Sequence, residues 1–428
     1  MKKPANQLMA TEAVTLIGEG KLTAEKLVRD CIERIDAREK DVGAWAYFNE
    51  AQAIAQARAC DQNPSRGLLH GIPVGVKDII DTVDMPTEYG TPIYAGNQPP
   101  WDAACVNAVR HAGGIILGKT VTTELAYFGP GKTRNPLKLN HTPGGSSSGS
   151  AAAVADCMVP LAFGTQTGGS TLRPAAFCGI VGFKPTFNLV NRAGVKPEAE
   201  SLDTIGIMTR CVADAALFTA AVTDRFYLRH VRPLDGTLRI GLCHTYEWRH
   251  ALPETGAALE HVAYHLSQRG ALVKEVKLPP EFAELLEAQK IVQAYEAARA
   301  YGYEWREHRA RLSPKLKELL RDGYAATPAT YDKAQATGAK CRALLRHIFR
   351  DYDVLLTPST PGEAPQGLES TGNPVFNSNW TFLHTPAITL PVGAGPGNLP
   401  LGVQLVGRMH DDVRLLSAAG WVEQQLRG

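Results

Sequence analysis

Strand-like and helix-like segments alternate along this chain, and that alternation limits the fold more than any other feature of the sequence. Val74 and Val76 stand in strand-like alternation just before Lys77. Further short apolar runs predict strands at 114–117, 238–243, 271–276, 353–357, 387–391 and 402–406, and helical spacing predicts helices at 102–112, 255–269 and 412–426. The sequence therefore predicts a layered α/β architecture.

Two regions are mostly helical by pattern. In residues 1–60, Thr23 suits an N-cap, and Leu27, Cys31 and Ile35 follow it at helical spacing. Residues 283–350 are also predicted to be helical, and they carry many charged side chains. This second region could form a cap over the core of the protein.

The charge balance and the lack of targeting patterns indicate where such a chain works. The 45 Lys and Arg residues nearly equal the 43 Asp and Glu residues, so the formal net charge is +2. A chain with this balance has no global field that attracts nucleic acid or an acidic membrane. The N-terminal residues lack the apolar stretch of a secretory signal, and no apolar run reaches the roughly 18 residues that span a bilayer. We therefore expect a cytoplasmic protein.

Glycine and serine dominate residues 143–150, PGGSSSGS, which we call the first glycine-serine cluster. A phosphate-binding loop is excluded, because Gly149 is not followed by the lysine that such loops require. A nucleophile elbow would centre on Ser147, but residues 139–143 before it make a poor strand. Since an apolar helical segment follows at once, we expect this cluster to build a site rather than to act as a tether.

A second glycine-serine cluster, residues 165–170 (TQTGGS), follows a predicted apolar strand that ends at Phe163. A serine on a Gly-Gly turn suits acyl transfer, because its hydroxyl can attack a carbonyl while nearby backbone N–H groups bind the oxyanion. Ser170 is therefore a candidate nucleophile. None of the twelve histidines lies in a comparable motif that would supply its base. Lys77 is either a salt-bridged structural residue or a base whose pKa is lowered by burial.

Three blocks of the sequence together resemble the amidase signature family. They are GIPVGVKD with Lys77, PGGSSSGS with Ser146, and GTQTGGSTLRPAAFCGIVGFKPT with Ser170. Their order and the 24-residue spacing of the two serines match the family, and weaker similarity covers most of the chain. The resemblance implies an α/β, amidase-signature fold with a large mixed β-sheet core surrounded by helices. It also implies a single domain over residues 1–428, with the signature core in residues 61–220.

The resemblance further implies a Ser–cis-Ser–Lys catalytic triad. Ser170 would be the nucleophile and Lys77 the base, with Ser146 as a bridging serine held by a cis peptide bond after Gly145. Neutral Lys77 would take a proton through Ser146 while Ser170 attacks the amide carbon, and the proton would return to the leaving nitrogen. Four consecutive backbone N–H groups would form the oxyanion hole, those of Thr167, Gly168, Gly169 and Ser170.

The segment around the implied nucleophile also departs from the family. The family often has Asp at the position of Gln166 and Ile-Arg at Thr171 and Leu172, whereas here the arginine is Arg173. This variant is similar to the malonamidase-type branch, whose arginine binds a substrate carboxylate. The alternative for Arg173 is an ion pair with a structural carboxylate. Tyr127 and Phe128 match a family segment that lines the acyl pocket, so the resemblance implies that they form a pocket wall, and packing in the core is the alternative for these aromatic side chains. Gly145 completes the predicted substrate-binding set.

These patterns together predict an amidohydrolase that cleaves a small carboxamide or related C–N acyl bond. One alternative is a glutaminase-type subunit of a tRNA-dependent amidotransferase, and another is a non-catalytic binding scaffold with the same fold. No cofactor is implied and no metal site is predicted, because His261 and His265 lack a third ligand nearby. For partners, we expect a small-molecule amide substrate, no nucleic acid and no membrane, and the family allows a homodimer.

Overall fold

A single mixed β-sheet runs through the computed structural model, which describes residues 3–63, 67–231, 234 and 236–427. Its eleven strands in the described residues are β1 Trp45–Phe48, β2 Pro73–Lys77, β3 Ile115–Thr120, β4 Leu161–Gln166, β5 Val181–Lys184, β6 Thr204–Thr209, β7 Arg239–Cys243, β8 Leu272–Val276, β9 Val354–Pro358, β10 Ala387–Ala394 and β11 Pro400–Gly407. The strand order across the sheet is β1-β3-β2-β4-β6-β5-β10-β11-β9-β7-β8.

Helices surround this sheet. In the described residues they are α1 Ala10–Gly18, α2 Ala24–Val42, α3 Glu50–Gln62, α4 Ala104–His111, α5 Ser148–Ala155, α6 Leu172–Phe177, α7 Val212–Thr223, α8 Pro253–Gln268, α9 Leu285–Ala300, α10 Gly302–Glu307, α11 Pro314–Ala325, α12 Pro328–Ile348, α13 Val375–Phe382 and α14 Asp412–Arg427. The predicted α/β fold class, a large mixed sheet core surrounded by helices, is confirmed. None of the described helices combines the length and the apolar character that a membrane crossing requires.

The centre of the sheet brings together segments that are far apart in the sequence. Strand β2 lies between β3 and β4 and runs parallel to both, so the carboxyl ends of all three strands meet at the same edge. All residues of β2 and β4 are buried, as expected for parallel strands covered on both faces. Lys77 ends β2 and Gln166 ends β4, and the two predicted site segments therefore lie at one edge.

The first glycine-serine cluster enters α5, a short helix of small residues. Such side chains let the helix approach the sheet closely, and α5 packs against β2, β3 and β4. A Cβ atom at Gly149 would lie only 2.2 Å from the backbone oxygen of Ala44. Glycine is required at this contact because any side chain would collide with that backbone. This close packing positions the segment before α5 beside the carboxyl ends of β2 and β4.

The observed elements differ from the prediction in two respects. Residues 1–60 are not wholly helical, because β1 interrupts the helices and pairs antiparallel with β3. Strands β5 and β6 were not predicted, since their runs VGFK and TIGIMT are short and contain glycine, which weakens a strand pattern. Thr23 does cap α2, where its side chain accepts a hydrogen bond from the Lys26 N–H.

Candidate active site

Lys77 is a fully buried lysine at the carboxyl end of β2. Its Nζ lies 2.7 Å from Ser146 Oγ and 2.7 Å from Thr165 Oγ1, so it contacts one residue of each glycine-serine cluster. Burial lowers the pKa of Lys77 to about 7, and the nearby carboxyl groups of Glu198 and Asp203 oppose that shift. A substantial share of this amine is therefore uncharged near neutral pH.

Ser146 reaches Lys77 from an unusual backbone conformation. The peptide bond between Gly145 and Ser146 is cis, which is the geometry that the family resemblance implied. Gly144 before it has a φ of 81°, in the left-handed region that favours glycine. A Cβ atom at Gly145 would lie 2.7 Å from the Thr371 methyl group. The two glycines thus allow the chain to turn closely against its neighbours and direct Ser146 toward Lys77.

The other serines of the first cluster attach the helix to the sheet. Ser147 Oγ lies 3.2 Å from both the backbone N and the backbone O of Thr165. Ser150 Oγ donates to the backbone oxygen of Phe163 at 2.7 Å, and Ser148 Oγ lies 3.4 Å from the backbone oxygen of Val121. Because the Ser147 side chain is fully buried and bonded to β4, its geometry argues against a nucleophile elbow at this position.

The second cluster forms a tight turn between β4 and α6, and Gln166 organises it. The Gln166 side-chain oxygen accepts hydrogen bonds from the N–H groups of Thr171 and Leu172, and its amide nitrogen donates to Thr381. Thr381 in turn donates to the backbone oxygen of Gly168 at 2.7 Å. The glutamine therefore positions the turn through its two amide atoms, and a negative charge is not needed for this arrangement.

The predicted site residues largely converge on one cavity. It is lined by Ser146, Thr167, Gly168, Gly169, Ser170 and Arg173, and by the predicted wall residues Tyr127 and Phe128. Lys77 contacts Ser146 but is not among the residues that line the cavity. Gly145 is also outside it, but the backbone oxygen of Gly145 accepts a hydrogen bond from Arg173. Ser170 is only partly buried, and the described contacts contain no hydrogen bond between the Ser146 and Ser170 hydroxyls.

Arg173 is a buried arginine without an ion pair among the described residues. Its Nη2 donates to Gly145 O at 2.7 Å and to Thr371 Oγ1 at 3.1 Å. Its Nε and Nη1 have no hydrogen-bond partner within the described part of the chain, and the guanidinium lies 5.4 Å from the centre of the Phe128 ring. Burial lowers the pKa of Arg173 to about 9. The geometry thus gives no support to the alternative of a structural carboxylate partner.

Several residues at the site escaped the sequence prediction. Glu198 lines the cavity from the loop between β5 and β6, Gln293 of α9 lines it from the helical region, and Thr371 and Pro374 line it from the loop before α13. None of these residues lies in a recognisable motif. The helical region at 283–350 does reach the site, but only the fold brings these distant positions together.

The described residues contain no group of three or more His, Cys, Asp and Glu side chains that could hold a metal ion. His261 is exposed, and His265 Nε2 lies 3.0 Å from the backbone oxygen of Gln425. Both histidines lie on α8, and neither lines the cavity.

Comparison with known proteins identifies the family. The amidase family model matches residues 26–416. The chain belongs to the amidase family. A glutamyl-tRNA(Gln) amidotransferase subunit of Alkaliphilus metalliredigens is 33% identical, over 94% of this chain and 93% of the relative. A solved amidase matches at 30% identity with a TM-score of 0.89, covering 98% of this chain and 100% of the other.

A further solved structure, the native peptide amidase of Stenotrophomonas maltophilia, is 28% identical, with a TM-score of 0.83 and coverage of 99% and 98% of the two chains. The recognition of the amidase signature is thus confirmed. This amidase family member is an enzyme that hydrolyses amide bonds.

One prediction about partners is wrong. We expected only a small-molecule amide substrate and no nucleic acid, but relatives that match almost the whole chain are named as subunits of a glutamyl-tRNA(Gln) amidotransferase. The expectation rested on a net charge near zero. Net charge describes the average field of one chain, and it does not test association through other protein chains or through a local surface. The homodimer stays a prediction.

Proposed function

We propose that this amidase family member hydrolyses a small carboxamide through an acyl-enzyme on Ser170, with Lys77 as the base and Ser146 as the relay. The observation that carries this proposal is the 2.7 Å approach of Lys77 Nζ to Ser146 Oγ, next to the cavity that Ser170 lines. With a pKa near 7, the Lys77 amine has a large neutral fraction that can accept a proton at physiological pH.

The reaction follows from this arrangement in two halves. Lys77 accepts the Ser146 proton, Ser146 accepts the Ser170 proton, and Ser170 Oγ forms a bond to the amide carbon. The oxyanion is stabilised by the backbone N–H groups of residues 167–170, at about 10² to 10³ in rate per donor. The C–N bond then breaks as the proton returns to the nitrogen, and water hydrolyses the acyl-enzyme by the same relay.

The surroundings of Arg173 favour a substrate whose acyl part carries a carboxylate. Two nitrogens of the buried guanidinium have no hydrogen-bond acceptor among the described residues. A carboxylate can accept from both of them in two parallel hydrogen bonds. Pairing with an anion would also offset the cost of burying the charge. We therefore propose that the substrate is a carboxamide with a carboxylate on its acyl part.

Glutamine, as the substrate of a glutaminase-type amidotransferase subunit, is the leading candidate. It carries a carboxylate and a carboxamide, and relatives named as glutamyl-tRNA(Gln) amidotransferase subunits match 94% to 100% of this chain. A second candidate, a stand-alone amidase, is favoured by the solved amidase that covers 98% of this chain. The two candidates share the chemistry at Ser170 and differ in substrate and assembly.

A release assay separates these candidates. Ammonia release is measured for glutamine, malonamate, aliphatic and aryl amides, ureas and carbamates, alone and with the other amidotransferase subunits and tRNA. Release from glutamine that rises with subunits and tRNA supports the amidotransferase role, and release from other amides by the chain alone supports the stand-alone enzyme. No turnover, together with no labelling of Ser170 by a fluorophosphonate, would overturn the proposal and favour the binding scaffold.

Substitution of Arg173 tests the carboxylate. Arg173→Ala should raise KM for amides with a carboxylate by roughly tenfold or more, because a charge-assisted hydrogen bond is lost. Neutral amides should keep their KM. Arg173→Lys should restore only part of the affinity, since an ammonium cannot form the two-pronged contact. An equal rise for neutral and acidic amides would instead indicate a structural role.

A further inference from the structure

One basic and one acidic side chain line the cavity beside Ser170, both are buried, and neither forms an ion pair within the described residues. Arg173 is 1% exposed and Glu198 is 3% exposed. The Glu198 carboxylate accepts a hydrogen bond from the neutral Gln293 amide at 2.5 Å, and its described contacts include no cation within ion-pair distance. A ligand that carries both a negative and a positive group would give each of these two side chains a partner of opposite charge inside the cavity.

We propose that Glu198 is a substrate-binding residue that, together with Arg173, selects carboxamides whose acyl part carries both an ammonium group and a carboxylate. The proposal rests on the function proposed above and narrows its substrate class to zwitterionic amino-acid amides. Arg173 would pair with the carboxylate and Glu198 with the ammonium group, while the carboxamide lies against Ser170.

The loop that carries Glu198 is held against the oxyanion turn. Asp203 Oδ2 accepts hydrogen bonds from the N–H groups of Glu198 and Ala199, at 2.8 and 3.1 Å. Asp203 Oδ1 accepts from Thr167 Oγ1 at 2.6 Å. One carboxylate therefore fixes both the backbone of Glu198 and a residue of the predicted oxyanion hole. This arrangement sets the position of Glu198 relative to Ser170 without using the Glu198 side chain.

A second layer, from α9, orients the Glu198 side chain. Gln293 donates to Glu198 through Nε2, and the Gln293 oxygen accepts from Gln289, 3.0 Å away. Gln289 also lies 3.4 Å from the backbone oxygen of Thr167. Burial raises the pKa of Glu198 to about 8, so an empty site holds a largely neutral carboxyl group. An ammonium ligand would favour the charged form and form an ion pair with it.

A matched pair of amides tests the role of Glu198. L-Glutamine and glutaramate have the same carboxamide and carboxylate, and glutaramate lacks only the ammonium group. The kcat/KM of the wild-type enzyme should be roughly tenfold or more higher for glutamine than for glutaramate, because only glutamine can form the charged contact with Glu198. Glu198→Gln should remove most of that preference by raising KM for glutamine, and the KM for glutaramate should change much less.

The control is Glu296→Gln. Glu296 is a carboxylate on α9 that bonds Ser201 of the same loop, at 2.6 and 2.8 Å, but it does not line the cavity. This variant should leave the ratio between the two amides unchanged. Glu198→Asp, which keeps the charge, should retain part of the preference and covers the case in which Glu198→Gln does not fold.

Each other outcome is decisive. Equal losses for both amides in Glu198→Gln, or a wild-type preference for glutaramate, would overturn the role of Glu198. Turnover of neither amide, with Ser170 still labelled by a fluorophosphonate, would overturn the substrate class and leave the hydrolytic mechanism standing. Absence of labelling would instead remove the proposed function itself.

Discussion

The two glycine-serine clusters have similar compositions but use their hydroxyl groups differently. In the first cluster, Ser147 and Ser150 are buried and bonded to strand backbone. In the second, Ser170 is partly exposed to a cavity. Lys77 joins the clusters, since it contacts Ser146 in one and Thr165 in the other. The comparison teaches that similar glycine-rich surroundings hold both serines bonded to a strand and a serine open to a cavity, and that the partner and the burial of each serine distinguish them.

The largest effect should come from removing the hydroxyl that faces the cavity. Ser170→Ala should lower kcat at least about 10³-fold, because the proposed mechanism forms the acyl-enzyme on this hydroxyl. The melting temperature should stay close to that of the wild type, since Ser170 has no side-chain hydrogen bond among the described contacts. Amide hydrolysis and fluorophosphonate labelling measure the first effect, and thermal unfolding measures the second. Retained hydrolysis in this variant would move the nucleophile to another residue.

The next effect concerns the lysine between the clusters. In the proposed mechanism its neutral form is the base, and with a pKa of about 7 that form is lost as the pH falls. The value of kcat/KM should therefore drop roughly tenfold per pH unit below about pH 6.5 and reach a plateau above about pH 8. Lys77→Met should remove activity at every pH. A profile that is flat between about pH 5 and 9 would contradict a lysine base.

Lys119 offers a matched control for Lys77. Lys119 is also fully buried, and it lies one residue before the carboxyl end of β3, at the same edge of the sheet. Its Nζ, however, lies 3.4 Å from Asp78 and donates to the backbone oxygen of Ile80. Lys119→Met should reduce stability, because it leaves Asp78 buried without its partner. The pH at which the remaining activity falls on the acid side of the profile should stay the same as in the wild type. A shift of that pH would show that Lys119, and not Lys77 alone, sets the pH dependence.

The smallest effect should come from the first cluster. Ser147→Ala removes the hydroxyl that bonds both backbone groups of Thr165, and it should lower the free energy of unfolding by about 1–3 kcal/mol. Activity per folded molecule should fall less than tenfold, because Ser147 does not line the cavity. Denaturant unfolding and hydrolysis rates measure the two quantities. A loss of activity as large as that of Ser170→Ala would erase the distinction between the clusters.

Much of the candidate site could be predicted from motifs. The blocks around Lys77, Ser146 and Ser170 carry enough local information to suggest their chemistry, and the cavity gathers Ser146 and Ser170 as expected. Glu198 could not be predicted, because it lies in an irregular loop and its partners come from α9 and from Asp203. Strand β1 was missed because four residues, WAYF, are too few to establish a period.

By itself, the sequence determined the alternation of strands and helices, the resemblance to the amidase family and the identity of the groups able to do acyl chemistry. The tertiary structure decided which of those groups meet, since Lys77 contacts residues 69 and 88 positions further along the chain. It also decided that Arg173 and Glu198 are buried without ion pairs among the described residues. The physical reason is that spacing acts over a few residues, whereas desolvation and pairing depend on strands and helices that only the folded chain brings together.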